Sequence, residues 1–151
     1  MILELLDNGA ASHPAIAAEG GPIVTYAGLR AQIDRLAREL CSFGLGRGDR
    51  IAIALPNGLE MIASFFAAAV AGTAAPLNPA YKQEEFRFYL EDTKARALIL
   101  PPTGLDEARQ AAGPDTLIIE TDVDSDGNVR FSAKDKAGPP RKLEPVANAR
   151  L

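Results

Sequence analysis

With 151 residues, 47% apolar and 24% charged, the chain has room for one compact domain and a composition unlike that of disordered segments. Sixteen basic residues against twenty acidic ones leave a net charge of -4, without the basic surplus that displaces phosphate counterions, so nucleic acid is excluded as a partner. Cys41 is the sole cysteine, which rules out an internal disulfide or a cysteine metal cluster and places the expected compartment in the reducing cytoplasm.

The first seven residues are apolar but carry Glu4 and Asp7 and lack the basic head of a signal peptide; they predict a short amphipathic helix. Two short apolar runs, Ala15 to Ala18 and Pro22 to Thr25, flank Glu19-Gly20-Gly21 and predict a small hairpin. Thr25 is the expected cap of a helix whose apolar positions Leu29, Ile33, Leu36, Ala37 and Leu40 follow the helical period, with Gly44 as its stop. Gly28, at the N3 position, cannot supply the glutamate that would complete a capping box with Thr25.

Arg50 to Leu55 reads as a buried strand, followed by a helix with Asn57 as its N-cap and Glu60 as the reciprocal N3 acid. The longest apolar run, Leu59 to Ala71, is interrupted by Glu60 and too short to span a bilayer, so no membrane is expected; Gly72 closes that helix. Next come a strand over Ala74 to Leu77, a helix over Lys82 to Glu91, a strand over Ala97 to Leu100, a weak helix over Leu105 to Ala112 and a strand over Thr116 to Glu120. Alternation of this kind predicts an α/β fold with right-handed crossovers: a parallel sheet with helices on both faces, preceded by the short helix and the hairpin. Large apolar residues thin out after Thr121, and Gly138-Pro139-Pro140-Arg141-Lys142 reads as an exposed connector. The expected division is therefore 1–121 as an α/β subdomain and 122–151 as hairpin and connector.

In open α/β sheets ligands gather beyond the carboxyl ends of the strands. Asn57, Asn78 and Tyr81 follow strands there and are the candidate walls of a substrate crevice, each with a structural alternative: capping for Asn57, and strand ending with turn initiation for Asn78-Pro79. Gly44-x-Gly46-x-Gly48 follows a helix and precedes a strand, the reverse of a phosphate-binding loop, and reads as a turn. His13, the sole histidine, has no acid or nucleophile partner along the chain and is expected on the surface; Cys41, late in a helix, is expected to be inert. Asp122-x-Asp124-x-Asp126-Gly127 has half the spacing of a calcium loop, but Ala133 stands where the bidentate glutamate belongs, so a hairpin turn at Ser125 to Asn128 is expected instead. No catalytic residue and no metal ligand set is assigned.

Four stretches in register over residues 25–100 carry a family resemblance: Thr25-Tyr26-x-x-Leu29 with Leu36-Ala37-x-x-Leu40; Gly44-x-x-x-Gly48-Asp49-Arg50-Ile51-Ala52-Ile53 with Leu55-x-Asn57; Ala69-x-Ala71-Gly72; and Leu77-Asn78-Pro79-x-Tyr81 with Glu84 or Glu85, Leu90 and Asp92. Together they resemble the N-terminal part of the adenylate-forming acyl-CoA synthetases. Thr73 to Asn78 with Glu84-Glu85-Phe86 and Phe88-Tyr89-Leu90 is similar to the oxalate–CoA ligase subgroup. The resemblance implies ATP, Mg and coenzyme A as cofactors of the full-length enzyme, none of them bound by this chain alone, and the remainder of the synthetase large domain as its partner. None of the five lysines (82, 94, 134, 136, 142) follows a Gly/Ser/Thr-rich loop between a strand and a helix, so the chain is expected to be inactive by itself. The alternative is a stand-alone interaction module that associates with itself or with a full-length relative through exposed apolar surface. Ala149-Arg150-Leu151 resembles a peroxisomal address, which operates only at a true C-terminus.

Overall fold

Short apolar runs bounded by glycine, proline and asparagine become the strands of a five-stranded sheet, and the longer runs of helical period cover it. The computed structural model describes residues 2–17 and 19–144. Its elements are α1 (Ile2–Leu5) with a following single turn, β1 (Pro14–Ala17), β2 (Ile23–Thr25), α2 (Tyr26–Ser42), β3 (Arg50–Ile53), α3 (Leu59–Ala71), β4 (Thr73–Pro76), α4 (Gln83–Asp92), β5 (Ala97–Leu100), α5 (Asp106–Ala111), β6 (Leu117–Val123) and β7 (Val129–Ser132).

The main sheet has the order β4-β3-β5-β6-β7, and β1 and β2 form the separate small hairpin. The neighbours from β4 to β6 pair in parallel, whereas β7 pairs antiparallel with β6. The expected strands pair in parallel, and the hairpin expected after residue 121 adds β7 to them as an antiparallel edge. The reason is local: only five residues separate Val123 from Val129, enough for a hairpin and too few for a crossover. Val129 and Phe131 point inward from β7 and join the main core. The hairpin that starts in the apolar-poor region thus completes the sheet.

Helices cover both faces. On one, α2 and α3 pack over Ile51, Ile53, Ala97, Ile99, Leu117 and Ile119; on the other, α4 and α5 pack over Ala52, Ala54, Leu98 and Leu100 through Phe86, Leu90 and Ala108. Alternate residues of each strand therefore serve opposite cores, which is why Arg50 to Leu55 and Ala97 to Leu100 read as continuous apolar runs. α1 and the β1–β2 hairpin close the outer side of α2 and α3 with Leu3, Val24, Leu29 and Ile33.

Thr25 caps α2 as expected, its Oγ1 accepting from the Gly28 N–H at 3.1 Å. The start of α3 differs from expectation. Its N-cap is Gly58, not Asn57, and no side chain caps it. β3 leaves the sheet in extended backbone through Gly58, so the Asn57 side chain arrives one residue too early to reach the first turn. At α4, Glu85 Oε2 accepts from the Lys82 N–H at 2.8 Å, half of a capping box, because a lysine at the N-cap has no acceptor to give. The far end of α4 is closed by Arg50, which donates through Nε to Thr93 O at 2.8 Å and through Nη2 to Lys94 O at 3.1 Å, placing a cation at the negative end of the helix.

One buried polar residue ties distant parts of the chain. Gln32 on α2 donates through Nε2 to Gly127 O at 2.8 Å and accepts at Oε1 from the Val129 N–H at 2.9 Å, so both arms of its amide are used at the β6–β7 turn. No described helix is long and apolar enough to cross a membrane.

Candidate functional site

The connections fix where a ligand can be met. From β3 the chain crosses to β4 through α3 on one face; from β5 it moves the opposite way to β6 through α5 on the other face. The two neighbours β3 and β5 thus feed helices on opposite faces, and the carboxyl end between them is the topological position of a ligand crevice in open α/β sheets. Three loops rim it: 54–58 after β3, 77–82 after β4 and 101–105 after β5.

β3 and β4 are parallel neighbours, so Asn57 and Asn78 leave the sheet at the same end. Asn57 is exposed there, on the loop that aims the start of α3 at the crevice. Asn78 is committed to its own turn, its Oδ1 accepting from the Ala80 N–H at 2.9 Å and its carbonyl from the Tyr81 N–H at 3.1 Å. Tyr81 lies half-buried over the second core, its ring stacked on Tyr89 at 5.1 Å and set edge-on to Phe86 at 5.8 Å. Hydrogen bonding to Tyr89, then desolvation and nearby negative charge, push the Tyr81 hydroxyl above the ordinary tyrosine range, so it stays a neutral donor near neutral pH.

The third loop is held by a residue the sequence did not single out. Arg109 on α5 donates to Pro101 O through Nη2 and to Gly104 O through Nε at 3.2 Å, and it pairs with Glu120 of β6 at 2.8 Å. Beside it, Lys82 reaches Glu107 across the starts of α4 and α5 at 3.4 Å. A guanidinium that satisfies loop carbonyls fixes a rim without being consumed by chemistry, and nothing in a linear reading pairs Arg109 with residues on two other elements.

The glycine motif lies at the opposite, amino end of the sheet. Gly44 closes α2 with φ +91°, and Asp49 accepts from the Gly46 N–H at 2.9 Å, from Arg141 at 3.0 Å and from Arg96 at 3.2 Å. Motif glycines and aspartate are therefore a structural joint, in keeping with the turn reading. A groove of about 660 Å³ runs along β6 between Pro114 to Ile118 and Ser132 to Ala137, and the Arg109–Glu120 pair that anchors the third loop is part of its lining.

His13 is exposed beside the hairpin, as expected, and Cys41 is buried. Burial pushes the Cys41 thiol up, and the nearby Arg141 and Arg38 offset that only in part, so the group is a protonated, inert thiol. Asp124 occupies the anticipated turn: its carboxylate accepts from the Asp126 N–H at 3.0 Å, the Asn128 N–H at 2.9 Å and Arg130 at 2.9 Å. Among the described residues no group of three or more His, Cys, Asp or Glu stands together as a metal set.

Those bonds hold the Asp124 carboxyl below its ordinary value of 3.8, Asn128 contributing most. A depressed carboxyl stabilises the fold above its unfolded pKa, and that stabilisation is lost as pH falls through the folded pKa. Asp124→Asn is expected to lower the melting temperature at neutral pH and to leave it nearly unchanged in strong acid. Equal losses at both pH values, read by thermal scans, would show that the charge of Asp124 has no part in the turn.

Residues 6–150 match the family described as AMP-binding enzyme. The chain is 43% identical over 99 residues to a probable CoA ligase of Humulus lupulus, covering 65% of this chain and 19% of the relative. It is 40% identical over 113 residues to the oxalate–CoA ligase of Arabidopsis thaliana, covering 72% of this chain and 22% of that protein. Among solved structures it resembles the O-succinylbenzoate coenzyme A synthetase of Bacillus subtilis in complex with ATP and magnesium, with a TM-score of 0.66 and 26% identity over 78% of this chain and 24% of that one. The chain spans about a fifth of the length of the curated relatives it matches. Sequence spacing and fold neighbours agree on one kind of protein.

Proposed function

This chain belongs to the AMP-binding enzyme family, and we propose from that membership that it is the N-terminal portion of an ATP-dependent acyl-CoA synthetase. The complete enzyme joins a carboxylate to the α-phosphate of ATP with release of pyrophosphate, then passes the acyl group to the thiol of coenzyme A. The chain's part in that reaction is a scaffold. Its sheet presents three loops at the carboxyl edge, and Asn57, Asn78 and Tyr81 form one wall of the substrate crevice, completed by the remainder of the large domain.

The observation that carries the reading is a contrast. The family match runs along nearly the whole chain, yet no lysine in it follows a Gly/Ser/Thr-rich loop between a strand and a helix. The loops that do join strands to helices are Ala54-Leu55-Pro56-Asn57-Gly58, Leu77 to Lys82 and Pro101 to Leu105, and none is a phosphate cradle by composition. The residues present do not fit ATP, so no step is routed through them. The chain alone is expected to show no carboxylate-dependent exchange between ATP and labelled pyrophosphate, with oxalate as the first acid to try because of the subgroup likeness. Exchange above the buffer blank would refute the inactivity.

A second reading, association with itself or a full-length relative, has the support of Leu5, Ile23 and Phe88, which are 63%, 65% and 61% exposed. They stand on α1, β2 and α4 and are scattered singly, as on many monomer surfaces, so the scaffold reading has the stronger support. A concentration-independent monomer in gel filtration would remove the second reading.

A further inference from the structure

Beyond β7 the chain turns back beneath the sheet and lies across the C-terminal end of α2. There the Ala137 N–H donates to Phe43 O and the Arg141 N–H to Cys41 O, both at 2.8 Å. Phe43 O lies past the helix's own donors, and Cys41 O, which already accepts from the Gly44 N–H at 3.0 Å, takes the strap's N–H as a second donor. A Cβ on Gly44 would come within 2.5 Å of the Gly138 backbone, so the two main chains touch at this point. Leu143 packs half-buried against the core cluster that contains Cys41, itself only 2% exposed.

One carboxylate holds this strap. Asp49 pairs through Oδ2 with Arg141 at 3.0 Å and through Oδ1 with Arg96 at 3.2 Å, while Arg96 also donates to Ala137 O and Arg141 donates to Arg47 O at 3.3 Å. The Asp49 side chain is 10% exposed. The guanidinium of Arg141 therefore reaches from the strap into a largely covered anion fixed in the turn before β3.

We propose that residues 137–143 form a latch that opens as a local unit, with Asp49 and Arg141 as its catch and the Cys41 thiol as the group it uncovers. Opening separates the strap from α2, Asp49 and Arg96 but breaks no ladder bond of the sheet, because the strap belongs to no strand. Its apolar hold on the core is Ala137 and Leu143. A segment with so little buried apolar area opens at far lower cost than the whole fold unfolds. The thiol beneath it is shielded while the latch is shut and becomes reachable when it opens, so thiol reactivity reports the state of the catch.

The experiment is labelling of the intact chain with Ellman's reagent under native conditions, where a single cysteine makes the signal unambiguous. The wild-type rate is expected to stay flat at low urea, as a local opening requires. Arg141→Ala should raise that rate about tenfold, the loss of one charge-assisted contact from the closed state, and should shift the global unfolding equilibrium by no more than the same factor. Lys142→Ala, on an exposed neighbour outside the catch, should leave the rate unchanged. Labelling of Arg141→Ala at the wild-type rate would overturn the proposal. So would a wild-type rate that climbs with urea along the global transition, a measurement that decides the matter even if the variant does not fold.

Discussion

Replacing Gly72 by alanine is expected to destabilise the chain by about 2–3 kcal/mol, although alanine is the better residue by intrinsic propensity. A contact with main chain contributes this loss. A Cβ there would lie 2.7 Å from Asp49 O and 2.9 Å from Gly46 O. Both oxygens are main chain and both are engaged: Asp49 O accepts from the Thr73 N–H at 2.9 Å, the first link between β3 and β4, and Gly46 O accepts from the Asp49 N–H at 3.0 Å. Relief requires moving the turn that aims Asp49 at Arg96 and Arg141, so the strand register and the ion pairs suffer together. Gly113→Ala is the matched control: a Cβ there meets nothing within 4 Å, and its effect should stay within about 0.5 kcal/mol. Urea titrations of both variants measure the difference. A Gly72→Ala midpoint equal to that of Gly113→Ala would mean that the close approach of α3 to the turn before β3 does not exist in solution.

Gly72 also illustrates how much could be read from the linear chain. Its place as a helix stop was legible, because a helix needs an end before Thr73; the approach of its backbone to Gly46 and Asp49 was not, since it depends on how α3 lies on the sheet. The alternation of strands and helices, the hairpin before α2 and the two-sided burial of β3 and β5 were legible for the same reason, each being a pattern of period two or 3.6 within one segment. β7 was missed as part of the sheet because Val129 and Phe131 are its only apolar residues, too few for a strand pattern to stand out in a polar stretch. Asn57 misled because the spacing from Asn57 to Glu60 is that of a cap to its N3 partner, while the cap position is set by where β3 releases the chain. Within the crevice, the loops that rim it followed from topology, but the anchoring of one of them by Arg109 and Glu120 did not, and the use of Gln32 by Gly127 spans 95 positions. Side-chain partnerships of that range are consequences of the fold and leave no periodic trace.

Phe86→Ala is expected to cost about 3–5 kcal/mol, the range for emptying a fully buried aromatic site that its surroundings cannot refill. The surroundings here are poorly able to collapse. Phe86 is 0% exposed, at the centre of the core between α4 and the β3–β5 floor, where its neighbours are the short side chains Ala52, Ala54, Ala95, Ala108 and Ala111 together with Leu90, Leu98 and Leu100. Alanines have no rotamers with which to lean into a void, so most of the ring's volume should persist as a cavity. The ring also supports the crevice rim, because Tyr81 rests edge-on against it and stacks in turn on Tyr89. Loss of Phe86 should therefore loosen Tyr81 as well as weaken the fold. The chain holds no tryptophan and three tyrosines, two of them Tyr81 and Tyr89, so tyrosine near-ultraviolet circular dichroism reads that loosening without interference from tryptophan. The expected result is a large fall in the urea midpoint with a diminished tyrosine band in the variant that remains folded. A loss of under about 1 kcal/mol would mean that α4 does not seat on this face of the sheet, and with it the placement of Tyr81 at the crevice would fail.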